Sequence, residues 1–159
     1  MTSIVLKTAD EIARDAMQTP AQKQVDVLLN GMSKLPQVDC PLIHRFTPGM
    51  YTREIFMPKG TLIVSKIHKT EHPYVITKGV VSVWIEGVGV QLFKAPYVGV
   101  TKPGTRRILF IHENCSWMTF HATNHKTPKD AETDIIYNPE KDEQIEIQSE
   151  VLKQLQEEN

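Results

Sequence analysis

Between Pro41 and Thr123 the chain sustains no helical period. Instead, short runs rich in Val, Ile, Phe, Tyr and Trp follow one another: LIHRF, MYTREIFM, TLIVSKIH, YVIT, VVSVWIE, VQLF, YVGVT, RILFI and WMTFH. Turn-forming segments such as TPGM, MPKG, TEHP, TKG and TKPG separate them. Branched and aromatic side chains suit a pleated, half-buried surface, while glycine and proline punctuate it. Many short strands at close spacing predict a mainly β fold, a sandwich or barrel of antiparallel strands.

The flanks differ in character. Residues 1–40 read as a helical extension. Thr8 and Glu11 form a capping box, and Thr19, Pro20 and Gln22 repeat the pattern as cap, first helical residue and partner. Val25, Leu28, Leu29 and Met32 then follow at helical spacing, and this helix ends at Asn30-Gly31 or runs on toward Pro36. Residues 41–123 form the barrel. In residues 124–159, HKTPKDAETD and PEKDEQ read as loop and IIY as one more strand. SEVLKQLQEE, from Ser149, reads as a short helix carrying Val151, Leu152 and Leu155. So short a helix has to dock on something to persist.

Composition removes several classes of function. The chain has 159 residues, 40% apolar and 23% charged, enough for one domain with a real core. A formal net charge of −1 offers no electrostatic case for nucleic acid or an anionic membrane. No window approaches the ~18–20 apolar residues of a membrane span. The N-terminal stretch has early acidic residues and no signal-like apolar core. Cys40 and Cys115 make no disulfide framework and read as free thiols, which suits the cytoplasm. P-loop, GxGxxG, GxSxG, HExxH and CxxC patterns are all missing.

The chemistry concentrates in GTLIVSKIHKTEHPYVITKG, residues 60–79. Alternation along a strand puts Leu62, Val64, Lys66 and His68 on one face. His72 precedes a proline and so belongs to a turn or the start of the next strand. A strand–turn–strand would bring His68 and His72 together. His121 shares a strand face with Trp117 and Thr119 and would be the third imidazole. Three imidazoles with an open position suit a divalent transition metal such as Zn, Fe, Mn or Ni. Glu54 is a candidate fourth ligand, but it shares its face with Thr52 and Phe56, opposite Tyr51 and Arg53. Lys66, Arg107 and Tyr51 are candidate catalytic residues lining the same interior. Arg106-Arg107 could clamp an anion bidentately or pair with surface carboxylates. Without a metal, His68 and His72 would be a polar rim and His121 a core-edge residue. His44, His112 and His125 read as ordinary polar residues.

Gly60, His68, His72 and Gly79 are spaced like the first motif of the cupin superfamily, and TKPGTRR resembles the second. The resemblance implies a double-stranded β-helix, or jelly-roll barrel, and a homodimer or higher homo-oligomer. It also exposes departures. Lys66 stands at one histidine position, His72 at the glutamate position, and Arg107 at the second-motif histidine. The series HRFTPGMYTRE, EGV, KAPY and WMTFHAT is similar to small uncharacterised cupin-like proteins of tailed phages and prophages, which would place the chain in a host cytoplasm. The resulting expectation is a metal-binding cupin-like protein acting on a small polar or anionic molecule. One alternative is a non-enzymatic module that binds a small molecule or a host protein, its pocket lined by Lys66, Arg107 and Trp84. Another is a structural or assembly protein.

Overall fold

Strand and turn chemistry produce the expected β protein, but the strands are cut differently. The computed structural model describes residues 6–140 and Gln154. Two helices come first, α1 (Ala9–Ala16) and α2 (Pro20–Met32). The strands β1 (Leu42–Thr47), β2 (Met50–Met57), β3 (Leu62–Val64), β4 (Ile67–His68), β5 (His72–Ile85), β6 (Gly89–Lys94), β7 (Tyr97–Thr101) and β8 (Ile108–Ala122) follow. Helix α3 (Pro128–Ile135) and strand β9 (Ile136–Tyr137) close the series. YVIT and VVSVWIE fuse into β5, and RILFI and WMTFH fuse into β8. TLIVSKIH instead breaks at Ser65-Lys66 into β3 and β4.

All pairings are antiparallel. The main sheet runs β1-β2-β8-β5-β6, with β3 added to β8, β7 added to β5, and a separate β4-β9 pair. The long strands serve two half-sheets. The first half of β5 pairs with β7 and the second with β6; the first half of β8 pairs with β3 and the second with β2. The sheet thus folds over itself, and its inner face buries Met57, Tyr74, Ile76, Val81, Val83, Leu109, Ile111, Cys115 and Trp117. This is a mainly β, double-stranded β-helix of jelly-roll architecture, with the sheet left open.

The fusion in β5 turns on Gly79. Its φ is 103°, and a Cβ there would lie 2.6 Å from the Asn114 carbonyl oxygen and 2.8 Å from the Cys115 Cα. The β5–β8 register shifts between Ile76 and Val81, so TKG is a bulge inside one strand and not the end of one. Gly79→Ala meets both backbone strain and a clash with backbone that cannot swing away. It should cost about 3 kcal/mol, read from urea unfolding midpoints. A loss below roughly 0.5 kcal/mol would show that the bulge relaxes freely.

The helices dock as their caps and apolar faces dictate. Thr8 and Glu11 form the expected reciprocal box on α1. Thr19 caps α2 by accepting from the Gln22 N–H, but the Gln22 side chain does not complete a box. It donates to Glu86 and accepts from Arg106 Nε at 3.0 Å, while Arg106 also reaches Asp26 at 2.8 Å. These bonds pin α2 to the barrel. Helix α2 runs through Asn30-Gly31 to Met32. The HKTPKDAETD segment, expected as loop, forms α3. Thr127 caps it, Pro128 fills its first turn, and Ala131 and Ile135, four residues apart, bury against Tyr51. IIY does supply a strand, β9. The helix expected from Ser149 lies outside the described residues. No helix among the described residues is long and apolar enough to cross a membrane.

Candidate functional site

The three histidines come from three strands. His68 ends β4, His72 opens β5, and His121 lies near the end of β8. The ring centroids of His68 and His72 are 4.8 Å apart and those of His72 and His121 are 4.2 Å apart. Their residues are 8%, 3% and 2% exposed. Burial lowers all three pKa values. His121 falls from the ordinary 6.5 to about 3, and His68 also falls well below 6.5. The neighbouring charges of Arg107 and Arg53 add to the shift at His68. The cluster is therefore neutral at pH 7.

A neutral imidazole keeps one lone pair, and at His72 its place is fixed. His72 Nδ1 lies 3.0 Å from the Thr70 carbonyl oxygen, which can only accept. The proton therefore sits on Nδ1, and Nε2 carries a bare lone pair. That Nε2, His68 Nδ1 and His121 Nδ1 are all buried without a hydrogen-bond partner. His121 Nε2 shares a hydrogen bond with Thr119 Oγ1 at 2.9 Å. The donor set suits a transition metal. The placement is less complete: among the described residues, no three His, Cys, Asp or Glu side chains are arranged to hold one ion between them. The rings pack on one another and would have to turn to converge.

Beside the cluster lies a cavity of about 230 Å³. Its polar lining is Arg53, Arg107, His68, Thr119, Ser65 and Lys66. Arg107 is 5% exposed and lies 4.9 Å from the Tyr74 ring centroid and 5.8 Å from that of Trp117. It donates to Thr101 Oγ1 at 3.0 Å. Arg53 and Arg107 each have a buried Nε with no partner, and neither pairs with a carboxylate among the described residues. Buried charges are ordinarily paired. Two guanidiniums share one cavity here, with no countercharge among the described residues.

The remaining candidates separate. Lys66 is half-exposed at the cavity edge, where its Nζ lies 2.9 Å from Glu132 Oε1; the break between β3 and β4 takes it out of the strand phase that would have aimed it inward with His68. Tyr51 is fully buried, but under α3, stacked on Phe46 and hydrogen-bonded to His44; it does not line the cavity. Glu54 faces outward as its alternation requires, bonded to Arg45 and Ser116, and is not a ligand. Trp84 sits on the outer face under α2 with Val25 and Leu28, so it lines no part of this cavity. Arg106 and Arg107 point to opposite sides, and only Arg107 reaches the interior. Sequence reasoning placed Arg53 on the Tyr51 face without giving it a role. The signal was its position between Tyr51 and Ile55 on an otherwise inward-facing stripe.

No protein-family model and no curated protein matches the chain. Among solved structures it is similar to a cupin-2 domain protein from Shewanella frigidimarina, at 13% identity over 63% of this chain and 98% of the other, with a TM-score of 0.42. It is similar to an uncharacterised protein with a double-stranded β-helix domain from Klebsiella pneumoniae, at 14% identity over 59% and 85%, with a TM-score of 0.48. An acetylacetone dioxygenase from Acinetobacter johnsonii is similar at 22% identity over 52% of this chain and 58% of that one, with a TM-score of 0.40. Likeness at these identities describes the fold alone.

Proposed function

We propose that this chain takes a small anionic molecule into its barrel, held by Arg53 and Arg107. The observation that carries this reading is Arg107, 5% exposed and without a carboxylate partner among the described residues. Desolvating a guanidinium costs several kcal/mol unless something repays it. An anion in the cavity repays it with charge-assisted, forked hydrogen bonds. The cavity, about 230 Å³, is smaller than the ~300–1,000 Å³ of drug-sized clefts, so the molecule is metabolite-sized. A thermal-shift screen of small carboxylates and phosphate against their neutral analogues, at constant ionic strength, tests this. Stabilisation by anions and not by neutral analogues is expected; no anion-dependent shift would defeat the reading.

A second reading is favoured by a separate observation, the three orphaned ring nitrogens. His68, His72 and His121 would turn to hold a divalent transition metal, with the Thr70 carbonyl orienting His72 as outer-shell partners do. Such a metal would supply Lewis acidity, polarising an oxygen of the bound anion. Elemental analysis of untagged protein checks it: less than about a tenth of an equivalent of any transition metal would count against a resident ion. The two free thiols fit a reducing compartment, which supports a cytoplasmic location, a host's if the chain is phage-encoded.

A further inference from the structure

The two walls of the cavity change character at the same level. On one wall Arg53 pairs across the sheet with Thr119, Ile55 with Trp117, and Met57 with Cys115. Arg53, Ile55, Met57, Trp117 and Thr119 all line the cavity. On the opposite wall Ser65 and Arg107 exchange hydrogen bonds, Arg107 N–H to Ser65 Oγ and Ser65 N–H to the Arg107 carbonyl, each at 2.8 Å. One step along, Ile63 pairs with Leu109. The polar ends of both walls face one space, since Arg53, Thr119, Ser65, Arg107 and His68 all line the same cavity. Inward-facing residues repeat every second position, so each pair of levels is about 7 Å apart. The cavity is therefore a cationic head over an apolar body.

From this we infer that the ligand is amphipathic: a monocarboxylate whose short apolar body lies against Trp117, Ile55, Ile63 and Leu109. The inference rests on the anion reading above and sharpens it. A phosphate or a small dicarboxylate would satisfy the arginines but leave the apolar level against water or a second charge. A carboxylate matches the planar fork of a guanidinium, and a hydrocarbon body removes the apolar lining from water. Trp117, 6% exposed and lining the cavity, provides a reporter.

The test titrates the full chain, in the presence of a chelator and at constant ionic strength, following tryptophan fluorescence. The probes are hexanoate, acetate, phosphate and hexanamide. Hexanoate should bind at least about tenfold more tightly than acetate, since each buried methylene adds to affinity, and at least about tenfold more tightly than hexanamide, which lacks the charge. Ile63→Thr keeps the branched shape and should narrow the hexanoate–acetate gap. If acetate or phosphate binds as tightly as hexanoate, the apolar-body inference fails and the anion reading stands. If hexanamide matches hexanoate, the carboxylate head is wrong and the anion reading falls with it. If none of the four saturates, both are wrong.

Discussion

Arg107→Met should weaken anion binding about 100-fold while leaving the melting temperature unchanged or higher. Removing a charged partner from a desolvated contact costs roughly 1.5–3 kcal/mol of binding, and each 1.4 kcal/mol is tenfold. Stability behaves differently because the free protein carries a buried charge with no carboxylate partner among the described residues. Replacing such a group by an apolar one of similar length is often neutral or stabilising. The cation–π contacts with Tyr74 and Trp117, worth about 1 kcal/mol, offset part of that gain. Its neighbour supplies the contrast. Arg106→Met strips Gln22 and Asp26 of their partner and should destabilise by about 1–3 kcal/mol with binding intact. Two adjacent arginines should therefore show opposite phenotypes. If both variants lose stability and neither loses affinity, Arg107 is a packing residue.

The second large effect is acid lability. In the unfolded chain the histidines titrate near 6.5, whereas folded His121 resists protonation until about 3 and His68 and His72 are shifted the same way. Below pH 6.5 the unfolded state binds more protons, so stability falls with pH and levels off only below the folded values. It is fully present above about pH 6.5. His121 alone should cost about 2 kcal/mol by pH 5, and Arg53 and Arg107 beside the cluster oppose any added positive charge. The window from pH 6.5 to 5 isolates the histidines, because Glu54 and Asp15, the carboxylates with lowered values, titrate below it. Urea midpoints of chelator-treated protein should drop steadily across that window, and His121→Phe should flatten the slope. A flat profile would mean that water reaches the rings.

Much of this was legible in the chain. Strand alternation put Trp117, Thr119 and His121 on one buried face and turned Glu54 outward, because a period of two depends only on local backbone. The capping box at Thr8 is equally local. What was hidden depends on partners distant in sequence. Gln22 looks like a capping residue until Arg106, 84 positions away, claims its side chain. Tyr51 looks like cavity lining until α3 folds over it. Lys66 follows the alternation of its run on paper, yet the strand breaks beside it. RILFI and WMTFH look like two strands, but antiparallel neighbours carry β8 straight through the residues between them.

The bulge at Gly79 has a consequence for how this chain tolerates insertions and deletions. Before it, the even positions Tyr74 and Ile76 face the core; after it, the odd positions Val81 and Val83 do. Gly79 is a phase switch within a single strand. Were the residues to alternate straight through it at full length, Ser82 and Trp84 would turn inward in place of Val81 and Val83, with everything paired to β6 reversed; deleting one residue there shortens the five steps from Ile76 to Val81 to four and keeps both valines inward. A substitution that flattens the bulge without changing the length should thus harm the protein more than a one-residue deletion there. The exposed Gly87 turn, where a Cβ meets nothing within 4 Å, should absorb a length change with little harm.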